Sequence, residues 1–282
     1  MYFPNGFNKE LAIELGELVI QAYEQFDKFE NGGDWKLPKP YELIDVFEYA
    51  VKSDTILGIK IPNYDNIKKF LKLKDKDVVV VPMGFIAKNE NKIFIVFRGT
   101  KTPKEWISNL TISMKEYFIP SYGNVHEGFL EVYNSIKETI DKNKAIIAGN
   151  NKIFVTGHSL GAALATLSLP DIEINHGKKI DALYTFGSPR VGDALFVRKF
   201  DGIFENRSFR VVNTSDVVTS IPLPIPIIGS LGGYFSHVDI PIDFTFQSDD
   251  ISKNHAMETY IDEIQKVKAN RNILQLLFKR RK

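Results

Sequence analysis

Five residues, Gly157-His158-Ser159-Leu160-Gly161, follow the apolar run Lys152-Ile153-Phe154-Val155-Thr156 and precede the alanine-rich stretch Ala162-Ala163-Leu164-Ala165-Thr166-Leu167. A strand that runs through G-x-S-x-G into a helix is a nucleophile elbow. The turn is so tight that the serine is held at a strained backbone angle, and both flanking positions need a residue without a side chain. The free amides and positive dipole end of the helix then face the place where an oxyanion would form. A pattern this short also arises as a plain glycine-rich turn. The strand before it and the helix start after it favour the elbow.

An elbow needs a sheet to stand on, and the rest of the chain supplies one. Residues 153–156, 182–186 and 209–213 read as core strands with helical patterns between them, which predicts a mostly parallel sheet covered on both faces. Residues 78–81 and 93–97 read as a hairpin around the polar turn 88–92. Residues 8–30 carry Leu11, Leu15, Leu18, Val19, Ala22 and Phe26 at helical spacing, and 41–52 read as a second, shorter helix. Residues 127–141 read as a helix, 238–246 as a strand, and 254 to about 269 as a last helix. The 282 residues, 44% of them hydrophobic, are expected to form one α/β domain over 1–282, with 1–75 as a helical N-terminal covering.

Composition narrows the chemistry. The formal net charge of +1 gives no global electrostatic case for nucleic acid. The absence of cysteine excludes disulfides, thiol catalysis and cysteine metal sites, and leaves the compartment open. The N-terminal residues lack a basic region followed by a long apolar one, so no secretory signal is visible; the expectation is a cytoplasmic chain or a mature secreted form. The apolar segment 217–238 contains Pro222, Pro224 and Pro226, which rule out a continuous membrane-spanning helix there. Asp249, Asp250 and His255 fit no common metal spacing, and Ser/His/Asp chemistry needs neither metal nor cofactor.

A nucleophilic serine needs a base and an orienting carboxylate, in the chain order serine, acid, histidine. Of the five histidines, His126 precedes the serine, His158 lies in the elbow and should point away from the serine, and His176 comes before any suitable acid. His255 follows the polar loop 247–254, where a mobile base-carrying loop is expected, and is preferred over His237, which opens a strand. Asp216 sits just beyond the strand 209–213 and is the preferred acid. Asp193 and Asp201 fall on a helical stretch and read as solvent-facing; Asp171 and Asp181 flank a loop. One oxyanion donor is the backbone N–H of Leu160. The other is expected at Thr100, where the strand Ile95-Val96-Phe97 runs through Arg98-Gly99 into a turn; a simple strand end with a local hydroxyl turn is the alternative there.

With these residues in place the chain resembles the class 3 lipases, the fungal-type lipases of the α/β-hydrolase fold. The resemblance rests on Phe97-Arg98-Gly99-Thr100, Trp106 in Lys104-Glu105-Trp106-Ile107-Ser108-Asn109-Leu110, Val125-His126-Glu127-Gly128-Phe129-Leu130, residues 157–165, Phe186-Gly187-Ser188-Pro189-Arg190-Val191-Gly192, Asn213-Thr214-Ser215-Asp216-Val217-Val218, and His255. It covers roughly residues 80–270. It implies a triad Ser159–Asp216–His255, an oxyanion hole at Thr100 and Leu160, and a lid over about 101–114 carrying Trp106, Ile107 and Leu110. It also implies that His126 and His237 are structural. The implied substrate is a lipid or other small-molecule ester, with contact at a lipid–water interface and no partner protein. Phospholipase A1, short-chain and feruloyl-type esterases are alternatives within the class. A non-catalytic lipid-binding scaffold on a hydrolase fold is the alternative outside it. Secreted fungal members are usually disulfide-bonded, whereas this chain has no cysteine. The proline-stiffened segment 221–228 reads either as an acyl-chain wall or as a buried loop. The apolar-then-basic tail 273–282 reads either as a packed helix end or as a contact for an anionic membrane surface.

Overall fold

Residues 92–97 and 152–158 place β-branched, aromatic and small side chains at consecutive positions, a pattern that suits strands buried on both faces. In the computed structural model, which describes residues 1–51, 53–73, 78–101, 112–224 and 234–267, these segments form neighbouring parallel strands at the centre of a seven-stranded sheet.

The chain opens with helix α1 (Lys9–Glu30), capped by the Asn8 side chain, which accepts from the Leu11 amide. Strand β1 (Glu42–Val51), a short hairpin β2 (Thr55–Ile56) and β3 (Ile59–Lys60), and helix α2 (Tyr64–Phe70) follow. Next come β4 (Val79–Asn89) and β5 (Lys92–Phe97), then a small ribbon of β6 (Met114–Glu116) and β7 (Asn124–His126). Helices α3 (Glu127–Ile136), α4 (Glu138–Lys142) and α5 (Lys144–Ala148) lead into β8 (Lys152–His158) and the wholly buried helix α6 (Leu160–Pro170). Strand β9 (Ala182–Phe186), helix α7 (Ala194–Phe204), β10 (Ser208–Asn213), β11 (Pro241–Phe244), α8 (Ile251–His255) and α9 (Met257–Lys266) complete the described chain.

The sheet order is β1-β4-β5-β8-β9-β10-β11. Strands β1, β4 and β5 are antiparallel, and β5, β8, β9, β10 and β11 are parallel. Along β5 the side chains alternate between two cores. Ile93, Ile95 and Phe97 pack with α3 and α6 on one face. Phe94 and Val96 pack on the other with Leu15, Leu18 and Val19 of α1 and Tyr260, Ile261 and Ile264 of α9. This is an α/β-hydrolase arrangement, a mostly parallel sheet with helices on both faces.

Four sequence expectations need correction. Residues 42–51 are a strand, not a helix: β1 pairs antiparallel with β4 and carries Phe47, fully buried and stacked on Phe97 at 4.6 Å between ring centroids. Two register irregularities, at Leu43/Asp45 and Phe47/Glu48, break the simple two-residue alternation, so the apolar positions no longer announce a strand. Among its described residues the N-terminal covering is therefore helical only over α1 and α2, and it contributes an edge strand to the sheet. At the other end, the last strand is confined to 241–244, and the expected single helix is broken at the extended residue Ala256 into α8 and α9.

The strand assignment of β1 has a direct test. Phe47→Ala should cost about 3–5 kcal/mol in urea unfolding, because it deletes a core ring from beneath the sheet edge. A loss below about 1 kcal/mol would instead fit a residue on an exposed face.

Candidate active site

The elbow forms because its two glycines let three backbone segments meet. A Cβ on Gly157 would lie 2.1 Å from the Gly161 carbonyl oxygen, and a Cβ on Gly161 would lie 2.4 Å from the Phe97 carbonyl oxygen. Ser159 takes the strain of the turn, with φ 59° and ψ −127°, at the position before the first residue of α6. Its amide donates to the Phe186 carbonyl at 3.0 Å, which fixes the elbow against β9. The register Phe97↔Gly157 between β5 and β8 brings the turn Gly99-Thr100 level with it. A Cβ built on Gly99 would sit 2.7 Å from the Ser159 Cβ.

Asp216 and His255 arrive from the adjacent strand ends. Asp216 caps the short 3-10 turn after β10, its Oδ1 accepting from the Val218 amide at 2.9 Å. Its Oδ2 accepts two further bonds, from His255 Nδ1 at 2.6 Å and from the Tyr260 hydroxyl at 2.6 Å. Donation by Nδ1–H leaves Nε2 of His255 as the bare ring nitrogen. Asn213 ties the two segments together: its side chain donates to the carbonyls of Phe246 and Asn254 and accepts from the Phe246 amide. Asn254 in turn exchanges bonds with Ser248. The loop before His255, expected to be mobile, is thus cross-linked within itself and to β10.

Ser159 Oγ, His255 Nε2 and Thr100 Oγ1 are all buried and have no hydrogen-bond partner among the described residues. Buried polar atoms are rarely left so, and three in one neighbourhood mark a place shaped for something other than folding. Thr100 and His255 line a single cleft of about 240 Å³ together with Tyr23, Lys101, His158 and Met257. The Leu160 amide belongs to the first turn of α6, beside the serine. Trp106, Ile107 and Leu110, the expected lid residues, lie outside the described residues, as do 225–228 of the proline-stiffened segment and the tail 268–282.

The remaining candidates sit elsewhere. His237 Nε2 donates to the Thr219 carbonyl at 2.7 Å, and burial, reinforced by Arg210, pushes its pKa down to about 3. His126 caps α3 by accepting from the Phe129 amide, and His176 lies beside Asp141. Asp193 is not solvent-facing: it is buried, caps α7 through the Phe196 amide and accepts from Asn124. Asp201 is partly buried and accepts from the Asp239 amide. Tyr23, Tyr260 and Asn213 were not singled out from the sequence as site residues. Tyr23 and Tyr260 sit in amphipathic helices with nothing local to set them apart from core aromatics. Asn213 was visible only as part of the stretch before Asp216.

Comparison with known proteins places this arrangement. Residues 94–225 match the family Lipase (class 3). The match covers a little under half of this chain and includes the elbow and Asp216. It is 36% identical over 144 residues to a lipase of Rhizomucor miehei, covering 48% of this chain and 38% of that one. It is 34% identical over 173 residues to phospholipase A1-II 1 of Oryza sativa subsp. indica, covering 50% and 44%. The chain thus spans less than half the length of these curated relatives. Among solved structures, nonglycosylated LIP2 lipase of Yarrowia lipolytica shares the fold, with a TM-score of 0.57 at 20% identity over 85% of this chain and 81% of that one. The class 3 match begins within β5, so α1 and β1 lie outside it.

The half-buried, neutral His237 gives stability a definite pH dependence. In the unfolded chain the imidazole takes up a proton near pH ~6.5; in the folded chain it does so only at about 3. Between these values the unfolded state holds the extra proton. The contribution is therefore complete above the unfolded pKa and is lost as pH falls, at up to about 1.4 kcal/mol per pH unit. His237→Gln keeps a donor for the Thr219 carbonyl and cannot titrate, so the acid limb of stability, followed by urea midpoints across a pH series, should become shallower. An unchanged slope would mean that His237 is already charged in the fold.

Proposed function

We propose that this chain is a class 3 lipase family member, a carboxylic ester hydrolase that cleaves lipid esters, acylglycerols among them, through an acyl-enzyme intermediate. The observation that carries this reading is the buried Asp216–His255 pair, whose free Nε2 shares its neighbourhood with the unpartnered hydroxyls of Ser159 and Thr100. The names of the relatives agree with it in kind: a lipase and a phospholipase A1 both break a lipid carboxylic ester.

In this reading Ser159 Oγ attacks the ester carbonyl while His255 Nε2 takes its proton. Asp216 keeps Nδ1 protonated and stabilises the imidazolium as it forms; the bonds from Tyr260 and the Val218 amide hold the carboxylate in one orientation. The tetrahedral oxyanion is met by the Leu160 amide, at the positive end of α6, and by Thr100. Collapse passes the proton from His255 to the leaving alcohol and leaves an acyl-Ser159 ester. Water then repeats the sequence, with His255 as base, and releases the acid. No metal or cofactor enters these steps.

A second reading within the same chemistry, phospholipase A1, is favoured by the names of relatives from rice and Arabidopsis thaliana. Turnover of matched acylglycerol, phospholipid and feruloyl esters of rising chain length separates the readings. A lipid-binding scaffold would turn over none of them and would fail to react with a fluorophosphonate.

Ser159→Ala should abolish both turnover and fluorophosphonate labelling without unfolding the protein, and His255→Ala should be as damaging. Substantial turnover in purified Ser159→Ala would overturn the assignment. Thr100→Val keeps the shape and the amide but removes the hydroxyl, and should lower kcat by about 10²–10³ with little change in KM, because the charge exists only in the transition state. Thr100→Ser should be mild. Near-wild-type kcat for both variants would leave only backbone donors in the hole.

A further inference from the structure

The segments that carry Gly99-Thr100, Ser159 and His255 are tied together by two side chains that the proposed chemistry does not use. The Gly99 amide lies 3.1 Å from the Tyr23 hydroxyl oxygen, the Tyr23 hydroxyl 2.8 Å from His158 Nδ1, and His158 Nε2 2.7 Å from the backbone carbonyl of His255. The two ends fix the direction of every bond. A carbonyl only accepts, so His158 Nε2 carries the proton; in a neutral imidazole Nδ1 then accepts. An amide only donates, so the Tyr23 oxygen accepts from Gly99 and passes its own proton toward His158. The chain therefore reads Gly99 N–H to Tyr23 O–H to His158 Nδ1, and His158 Nε2–H to His255 C=O. It closes only if both side chains are neutral.

We propose that Tyr23 and His158 form a positioning relay that holds the oxyanion turn, the nucleophile elbow and the base-bearing segment in one fixed arrangement. The relay rests on the hydrolase reading above. Neither residue touches the reacting atoms in that scheme; both act through Gly99, Ser159 and His255.

Three further observations support it. His158 is held well below its ordinary pKa, first by burial and then by His255, while burial pushes the Tyr23 phenol up, so both stay neutral. The His158 ring lies against the His255 ring, 4.4 Å between centroids. A charged imidazole there would oppose the imidazolium that His255 must become, whereas a neutral one does not. Helix α1 also grips the turn on both sides of Gly99-Thr100. The Arg98 guanidinium lies 3.9 Å from the centre of the Phe26 ring, and Lys101 pairs with Asp27 and, at 3.0 Å, with Glu30. Tyr23 is thus carried by an element that is itself anchored to the turn.

The test uses the full chain with five variants: Tyr23→Phe, His158→Gln, which keeps a donor toward the His255 carbonyl, His158→Asn, which keeps an acceptor toward Tyr23, and the double variants Tyr23→Phe/His158→Gln and Tyr23→Phe/His158→Asn. Concentrations are set by fluorophosphonate titration, so kcat refers to folded, reactive sites. Tyr23→Phe should lower kcat about 10- to 100-fold with KM nearly unchanged, the mark of misplacement rather than lost binding. In the His158→Gln background it should cost little more, because the acceptor for the Tyr23 hydroxyl is already gone; in His158→Asn it should cost nearly its full amount. Nitrogen-15 spectra of wild type should show His158 as the neutral Nε2–H tautomer. Full kcat in Tyr23→Phe, an effect that adds undiminished to His158→Gln, or the opposite tautomer would each overturn the relay and leave the hydrolase reading standing. A wild-type chain inert toward both esters and fluorophosphonate would overturn the hydrolase reading first, and the relay with it.

Discussion

The site depends on one register, Phe97 opposite Gly157 across the parallel pair β5 and β8. Parallel strands that end level deliver their following loops to the same edge of the sheet, and ligand sites in open α/β sheets lie at that carboxyl edge. Here the register sets the Gly99-Thr100 turn against the elbow so closely that only glycine fits at 157 and 161. The next strands extend the same edge: the Ser159 amide bonds to Phe186 at the end of β9, and Asp216 follows the end of β10. A slip of one residue would exchange the two core faces of every strand involved and separate the serine from its neighbours.

Burial then decides the electrostatics. Asp216 is almost wholly enclosed, and its carboxylate is satisfied by three donors: His255, Tyr260 and the Val218 amide. A buried carboxylate with fewer partners would be costly. The Tyr260 phenol is pushed well up, first by burial and then by Asp216, so it remains a donor. His158, equally enclosed, is kept neutral. The site therefore sets an imidazole backed by a carboxylate beside a second imidazole that stays neutral.

The two helices that supply Tyr23 and Tyr260 lie on the same face of the sheet and pack against each other, α1 crossing α9 at Gly16, where a Cβ would strike Ile261 and Met257. Residues 94–225, the class 3 lipase match, hold the elbow and Asp216 but not α1, α9 or His255. Both supports from this face are thus provided by segments outside the match. The N-terminal covering is part of the structure around the site as well as of the core.

Local steric rules were legible in the chain itself. The elbow declares itself because a strained turn demands glycine within two residues on either side of the serine. The parallel core declares itself because strands buried on both faces are apolar at nearly every position. Chain order and loop position singled out Asp216 and His255, and the fold brings them within 2.6 Å of each other. What only tertiary structure decided is what depends on partners far away in sequence. Strand β1 was hidden because its pairing with β4 absorbs two irregularities that blur its own alternation. The contacts of Tyr23 with His158 and Gly99, and of Tyr260 with Asp216, join residues 135, 76 and 44 positions apart. An aromatic in an amphipathic helix looks the same in sequence whether its hydroxyl ends in solvent or on a buried acceptor; only the crossing of that helix over the strand ends chooses between them.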